Sequence, residues 1–74
     1  MTPRPLLKLT VNGVATEVAL DNGSTVAGLV AALGLAGKRI AIERNGEIVP
    51  RSRYATTQVA RDDRLEIVGA VGGG

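Results

Sequence analysis

The sequence predicts an α+β domain, a mixed sheet of four or five strands with one main helix packed on one face. Three observations predict it. Apolar and polar residues alternate over 6–20 and again over 40–49 and 64–68. Between the first two runs, Val26, Leu29, Val30 and Leu33 recur at helical spacing. Two Asn-Gly pairs, at 12–13 and 45–46, interrupt the alternating runs. Alternation at period two marks half-buried strands, and the i, i+3, i+4, i+7 stripe marks one helix face. Asn-Gly is the strongest short hairpin signal, because both central residues of a type I′ turn need positive φ.

Taken in order, Met1-Thr2-Pro3-Arg4-Pro5 reads as a loose arm, since two prolines in five residues disfavour regular structure. Leu7, Leu9 and Val11 then share one face of a strand, with Lys8 and Thr10 on the other. Past Asn12-Gly13, Val14, Thr16, Val18 and Leu20 face one way and Ala15, Glu17 and Ala19 the other. Thr25 is a candidate N-cap and Gly34 a candidate left-handed C′ residue, which predicts a helix over about residues 25–34. A helix this short is unstable alone and must pack on the sheet. Ile40 and Ile42 alternate with Ala41 and Glu43, and Asn45-Gly46 leads into Glu47-Ile48-Val49, which Pro50 ends. Residues 51–61 show no period, with Tyr54 and Val59 as anchors. Leu65 and Ile67 alternate with Arg64, Glu66 and Val68 in a last strand. Residues 69–74, Gly-Ala-Val-Gly-Gly-Gly, carry no element signal. The domain is thus expected over 6–68, between a flexible arm at 1–5 and a flexible tail at 69–74. Hairpin, helix, hairpin and returning strand make a β-grasp arrangement. The expected core is Leu7, Leu9, Val11, Val18, Val26, Leu29, Val30, Leu33, Ile42, Leu65 and Ile67.

Composition closes several routes to chemistry. The chain has 74 residues, enough for one domain with a thin core. Phe and Trp are absent and Tyr occurs once, so the core is aliphatic. Without cysteine there are no disulfides, thiolate metal sites or thiol nucleophiles. Without histidine there is no Ser-His or Cys-His pair and no imidazole ligand. The net charge of +2 comes from interleaved acids and bases, which gives no expectation of nucleic-acid or membrane binding. No apolar run is long enough to span a bilayer or to form a signal-peptide core. A cysteine-free small domain fits a reducing, cytoplasmic setting.

The terminal glycines are the most informative residues. Glycine costs backbone entropy when fixed and adds no packing. One reading is an unselected terminus or linker scar. The other is chemical. If the terminal carboxylate is activated inside another enzyme, its acyl carbon must enter a narrow channel. Gly72, Gly73 and Gly74 then form a thin rod without Cβ atoms. Six residues past the last strand reach roughly 20 Å. Because the glycines end the chain instead of opening a helix, they do not read as a nucleotide loop. Asp62-Asp63 reads as a turn with solvated carboxylates, and Arg51, Arg53 and Arg61 as a solvated loop face. The sheet face opposite the helix carries Lys8, Thr10, Glu17, Arg64, Glu66 and Val68, and part of it near the start of the tail, Arg64, Glu66 and Val68 with Val71, is the expected docking surface.

Ile48-Val49-Pro50-Arg51-Ser52, Tyr54-Ala55-Thr56-Thr57 and Asp62/Asp63-Arg64-Leu65-Glu66-Ile67-Val68 resemble the ThiS family of ubiquitin-like sulfur carriers in thiamin biosynthesis. Leu9-Thr10-Val11-Asn12-Gly13, Asn45-Gly46-Glu47 and the Gly-Gly terminus add to the resemblance, which covers nearly all of 6–74. Val49-Pro50-Arg51 combined with Gly73-Gly74 is its most specific part. Tyr54 stands where family members often carry Trp, and the arm at 1–5 extends the usual start. The resemblance implies a non-enzymatic carrier that binds no cofactor itself and is a monomer when free. A ThiF-type adenylyltransferase, using ATP and magnesium, converts the Gly74 carboxylate to an acyl-adenylate. Sulfur from a cysteine-desulfurase relay replaces AMP to leave a thiocarboxylate on Gly74, which donates sulfur to thiazole synthase. Three alternatives stay open: a MoaD-type carrier for molybdopterin synthesis, a modifier conjugated to lysines, and a β-grasp binding module with an incidental tail.

Overall fold

A computed structural model describes residues 6–21 and 23–69. Five strands form one sheet in the order β2-β1-β5-β3-β4. The strands are β1 (Leu6–Val11), β2 (Val14–Ala19), β3 (Ile40–Arg44), β4 (Glu47–Val49) and β5 (Arg64–Gly69), with α1 at Val26–Ala32 between β2 and β3. β1 is antiparallel to β2 and parallel to β5, while β3 is antiparallel to both β4 and β5. The sheet is therefore mixed, as expected, and the last strand fills its centre. β5 runs to Gly69, one residue beyond the expected boundary at 68.

Both hairpins close on the predicted turns. Asn12 and Asn45 each have φ of 52°, followed by Gly13 at 80° and Gly46 at 87°. Those are the two positive-φ residues a type I′ turn demands.

The helix is held at both ends. The Thr25 hydroxyl accepts from the Gly28 N–H at 3.1 Å. The Val26 and Ala27 N–H groups donate to the carbonyls of Thr57 and Tyr54, each at 2.8 Å. These are the first-turn donors that lack partners within a helix. At the other end Gly34 has φ of 74°. Its N–H donates to the Ala31 carbonyl and that of Leu35 to the Val30 carbonyl, a complete Schellman stop. The segment between β4 and β5, irregular by sequence, contains a 3₁₀ turn at Arg51–Arg53. Three residues are too few to show a period. This segment is what caps the helix start.

The core is Leu9, Val18, Val26, Leu29, Val30, Ile42, Val49, Val59, Leu65 and Ile67. The sheet and helix phases are those the alternation predicted. Leu7, Val11 and Leu33 were expected to be buried but are half-buried against the core. They lie near element ends, where fewer neighbours cover a side chain. Val14, on the inward phase of β2, is 64% exposed because it directly follows the turn. Tyr54 packs against the core, half-buried.

β1 turns away at Asn12, so its backbone cannot accompany β5 to the end. The Asn12 side chain takes over. Its Nδ2 donates to the Ile67 carbonyl at 2.9 Å, and its Oδ1 accepts from the Ile67 N–H at 2.7 Å. The amide thus pairs with β5 as another backbone residue would. Asn12→Gly keeps a residue that tolerates the positive φ and deletes this pair. It is expected to lower stability by about 1–3 kcal/mol and to speed amide exchange at Ile67. Denaturant unfolding and exchange measurements check it, and an unchanged Ile67 amide would refute the clamp.

Candidate functional site

β5 ends at Gly69, the last described residue before the terminal glycines, so its setting is the part of the structure nearest to them in the chain. Gly72, Gly73, Gly74 and Val71 lie outside the described residues, as does the arm at 1–5. Arg64, Glu66 and Val68, expected on one docking face, do project together from β5 and are exposed. They alternate with buried Leu65 and Ile67. Across the parallel ladder Arg64 aligns with Thr10, and Lys8 faces Glu17 across the β1–β2 ladder. The Lys8 ammonium lies 3.4 Å from the Glu17 carboxylate. The expected face is therefore one surface.

The same surface continues onto β3 and β4. Val68 pairs with Ala41, Glu66 with Glu43, and Glu43 with Ile48. Ile48 is 76% exposed and Val68 58%. A shallow depression of about 230 Å³ joins Ala41, Ile42, Glu43, Ile48, Glu66 and Val68. Apolar side chains line it and two glutamates rim it. Sequence reasoning placed Ile48 in a strand but did not assign it to this face. The signal was its outward phase beside buried Val49, in a strand of three residues.

At the start of β5 the structure corrects one expectation. Asp62 is exposed, but Asp63 is buried instead of solvated. The Asp63 carboxylate accepts from Arg44 Nε at 2.7 Å, Asn45 Nδ2 at 3.0 Å and the Ala60 N–H at 2.7 Å. Burial pushes its pKa up, but the hydrogen bonds from Asn45, Ala60 and Arg44, with the Arg44 charge, outweigh that. The carboxyl is held below its ordinary value of 3.8. Asn45 also accepts from the Arg64 N–H through Oδ1 at 2.8 Å. Asp63 is thus a structural anchor tying the β3–β4 turn to β5. Among the described residues no group of three or more acids is arranged to hold a metal ion. Nor is any helix among them long and apolar enough to cross a membrane.

The architecture, a five-stranded mixed sheet with its last strand central and one α-helix, is that of a ubiquitin-like β-grasp domain. The ThiS family model matches residues 8–74, so the chain belongs to the ThiS family. It is 38% identical over 66 residues to the sulfur carrier protein ThiS of Bacillus subtilis, covering 89% of this chain and 98% of that one. It is 44% identical over 68 residues to a thiazole synthase of Paramagnetospirillum magneticum, covering 92% of this chain. A thiazole synthase of Magnetococcus marinus matches at 35% identity over 68 residues. The chain spans 20% of the length of each of those two synthases. The crystal structure of the thiamine biosynthesis protein ThiS from Geobacter metallireducens superposes with a TM-score of 0.73 at 32% identity, covering 92% of this chain and all of that one.

Asp63→Ala leaves the Arg44 guanidinium and the Ala60 N–H without their acceptor, and is expected to cost about 2–4 kcal/mol at neutral pH. The pH dependence follows from the lowered pKa. The ionised carboxylate stabilises the fold fully above the unfolded value of 3.8, and this is lost as pH falls through the lower folded value. The stability gap between wild type and variant should therefore narrow as pH drops below about 4. Urea unfolding across that range checks it, and a constant gap would contradict the assignment.

Proposed function

We propose that this chain is a sulfur carrier in thiamin biosynthesis, with the Gly74 carboxylate as its working group and no catalysis of its own. The observation that carries the reading is the family match, which runs through the tail to Gly74. The near full-length similarity to the B. subtilis carrier supports it. The two thiazole synthases, each matching over a fifth of its length, support thiazole synthase as the recipient. The absence of Cys and His is consistent with a protein that leaves catalysis to its partners. A cysteine-free chain also suits a reducing compartment, and the cytoplasm is the proposed location.

The chemistry proceeds in three stages: activation, sulfur loading and delivery. A ThiF-type adenylyltransferase joins the Gly74 carboxylate to the α-phosphate of magnesium-bound ATP and releases pyrophosphate. The resulting acyl-adenylate has AMP as a leaving group, where the free carboxylate has only oxide. A persulfide supplied through a cysteine desulfurase attacks the acyl carbon and expels AMP, forming an acyl disulfide. A thiol then cleaves its S–S bond, becoming a disulfide with the donor cysteine and leaving the thiocarboxylate on Gly74, which attacks the substrate bound by thiazole synthase. Gly72 and Gly73 thread the channel because they carry no Cβ. The Val68–Ile48 patch, with Arg64, Glu66 and tail residue Val71, docks the body. Docking raises the tail's effective concentration at the reacting centre.

Incubation with the adenylyltransferase, ATP, magnesium and a sulfur source should raise the intact mass by about 16 Da, sulfur for oxygen at one carboxyl. Tandem mass spectrometry should place it on Gly74. Removing Gly73 and Gly74 should abolish the gain, and Gly73→Ala should slow it by up to about 100-fold through misplacement of the acyl carbon. Full-rate sulfur uptake by the truncated chain would overturn the reading. Val68→Asp places a charge in the apolar patch and is expected to raise KM for the carrier at least about tenfold with kcat little changed. Kinetics against carrier concentration would show it.

A further inference from the structure

The end of β5 is flanked by charge of one sign. Gly69, its last residue, pairs with Ile40, the first residue of β3. Lys38 and Arg39 immediately precede Ile40, so the chain places them next to the end of β5. Arg51 joins them from the 3₁₀ turn, its guanidinium donating to the Lys38 carbonyl at 3.3 Å. All three side chains are exposed. No Asp or Glu occurs between residues 22 and 42, or between 48 and 61. The ion pairs Lys8–Glu17 and Arg44–Asp63 involve none of these three cations, and no other described carboxylate is paired with them. Like charges gathered without a carboxylate partner among the described residues repel one another.

We infer that Lys38, Arg39 and Arg51 form a basic collar that docks on an acidic rim around the mouth of the adenylating partner's channel. The inference rests on the carrier reading, because that reading sends the tail into such a channel. Two observations favour a protein surface over a phosphate polymer or anionic bilayer. Glu43 and Glu66 lie on the neighbouring sheet face, where they would repel a broad anionic surface. The apolar Ile48–Val68 patch lies on that same face, an apolar centre with a charged rim, as protein interfaces have. A rim of unpaired cations speeds encounter and fixes register more than it adds final affinity.

The test measures pyrophosphate release by the adenylating enzyme against carrier concentration, at low and at high salt. The chains compared are wild type, the double variant Lys38→Glu/Arg39→Glu, Arg51→Glu, and Arg61→Glu as control. Arg61 is exposed before the start of β5, at the far end of that strand from Gly69. The double variant is expected to raise KM at low salt at least about tenfold, leave kcat within about twofold, and flatten the salt dependence. Arg51→Glu shifts KM the same way and Arg61→Glu does not. Should the double variant unfold, Lys38→Ala/Arg39→Ala must still raise KM and flatten its salt dependence. Wild-type KM and salt dependence in the alanine pair or the glutamate pair would overturn the collar. So would unchanged KM with lost retention on RNA or on phosphatidylserine vesicles, since the cluster would then serve another ligand. A wild-type chain that drives no pyrophosphate release would overturn the carrier reading itself, and the collar with it. Normal wild-type turnover with unaffected variants overturns the collar alone.

Discussion

β5 has to satisfy two neighbours that run in opposite directions, and the rest of the structure depends on how it does so. On one side lies β1, parallel; on the other lies β3, antiparallel. Each neighbour belongs to a hairpin whose turn is an Asn-Gly pair. Each asparagine reaches from its turn to the β5 backbone, Asn12 to Ile67 and Asn45 to the Arg64 N–H. The sheet's central strand is therefore fastened near both ends by side-chain amides. An aspartate or glycine would also fit the turn. Neither could both donate to and accept from a strand at neutral pH.

Asp63 extends the fastening beyond the strand. Its carboxylate gathers Arg44 and Asn45 from the β3–β4 hairpin and the Ala60 N–H from the incoming loop. That loop in turn supplies the Tyr54 and Thr57 carbonyls that receive the first helical N–H groups. One connected set of polar contacts thus links β5, the β3–β4 turn, the loop and the start of α1. In a domain of aliphatic side chains, where packing is adaptable, such directional contacts set a single register. The register matters because it determines which side chains surround Gly69.

Much of this was legible from the residues. Alternation fixed which side of each strand faces the helix, and the stripe Val26, Leu29, Val30 placed α1. Thr25 and Gly34 marked its ends, and both do what their chemistry suggests. Arg64, Glu66 and Val68 were assigned to one face by period alone. The misses share a physical cause. The burial of Asp63 depends on Arg44, nineteen positions away, and nothing local distinguishes it from exposed Asp62. The clamp of Asn12 on Ile67 spans 55 positions. Local pattern reports which way a side chain points, whereas polar pairing depends on what the topology brings opposite it. The same limit hid the basic cluster: Lys38-Arg39 and Arg51 look like ordinary solvated charges until the β3–β5 register sets the first pair beside the end of β5.

The separation of duties in the molecule follows from these constraints. A group to be activated in another protein's channel must stand on residues without side-chain bulk, and glycine is the residue that loses most backbone freedom when fixed. In the proposed carrier role, seating Gly72–Gly74 in a channel would carry an entropic cost that residues without side chains offset poorly. The body has to contribute the difference through its own surface. In that role it can do so only if the surface keeps a fixed relation to the end of β5, from which the chain continues toward Gly74. The Asn12 clamp two residues before Gly69, the Asn45–Asp63 anchor at the strand's start and the open face carrying Val68 are one device in that sense. The anchors hold still the strand that presents Arg64, Glu66 and Val68 and leads toward Gly74, the proposed site of activation.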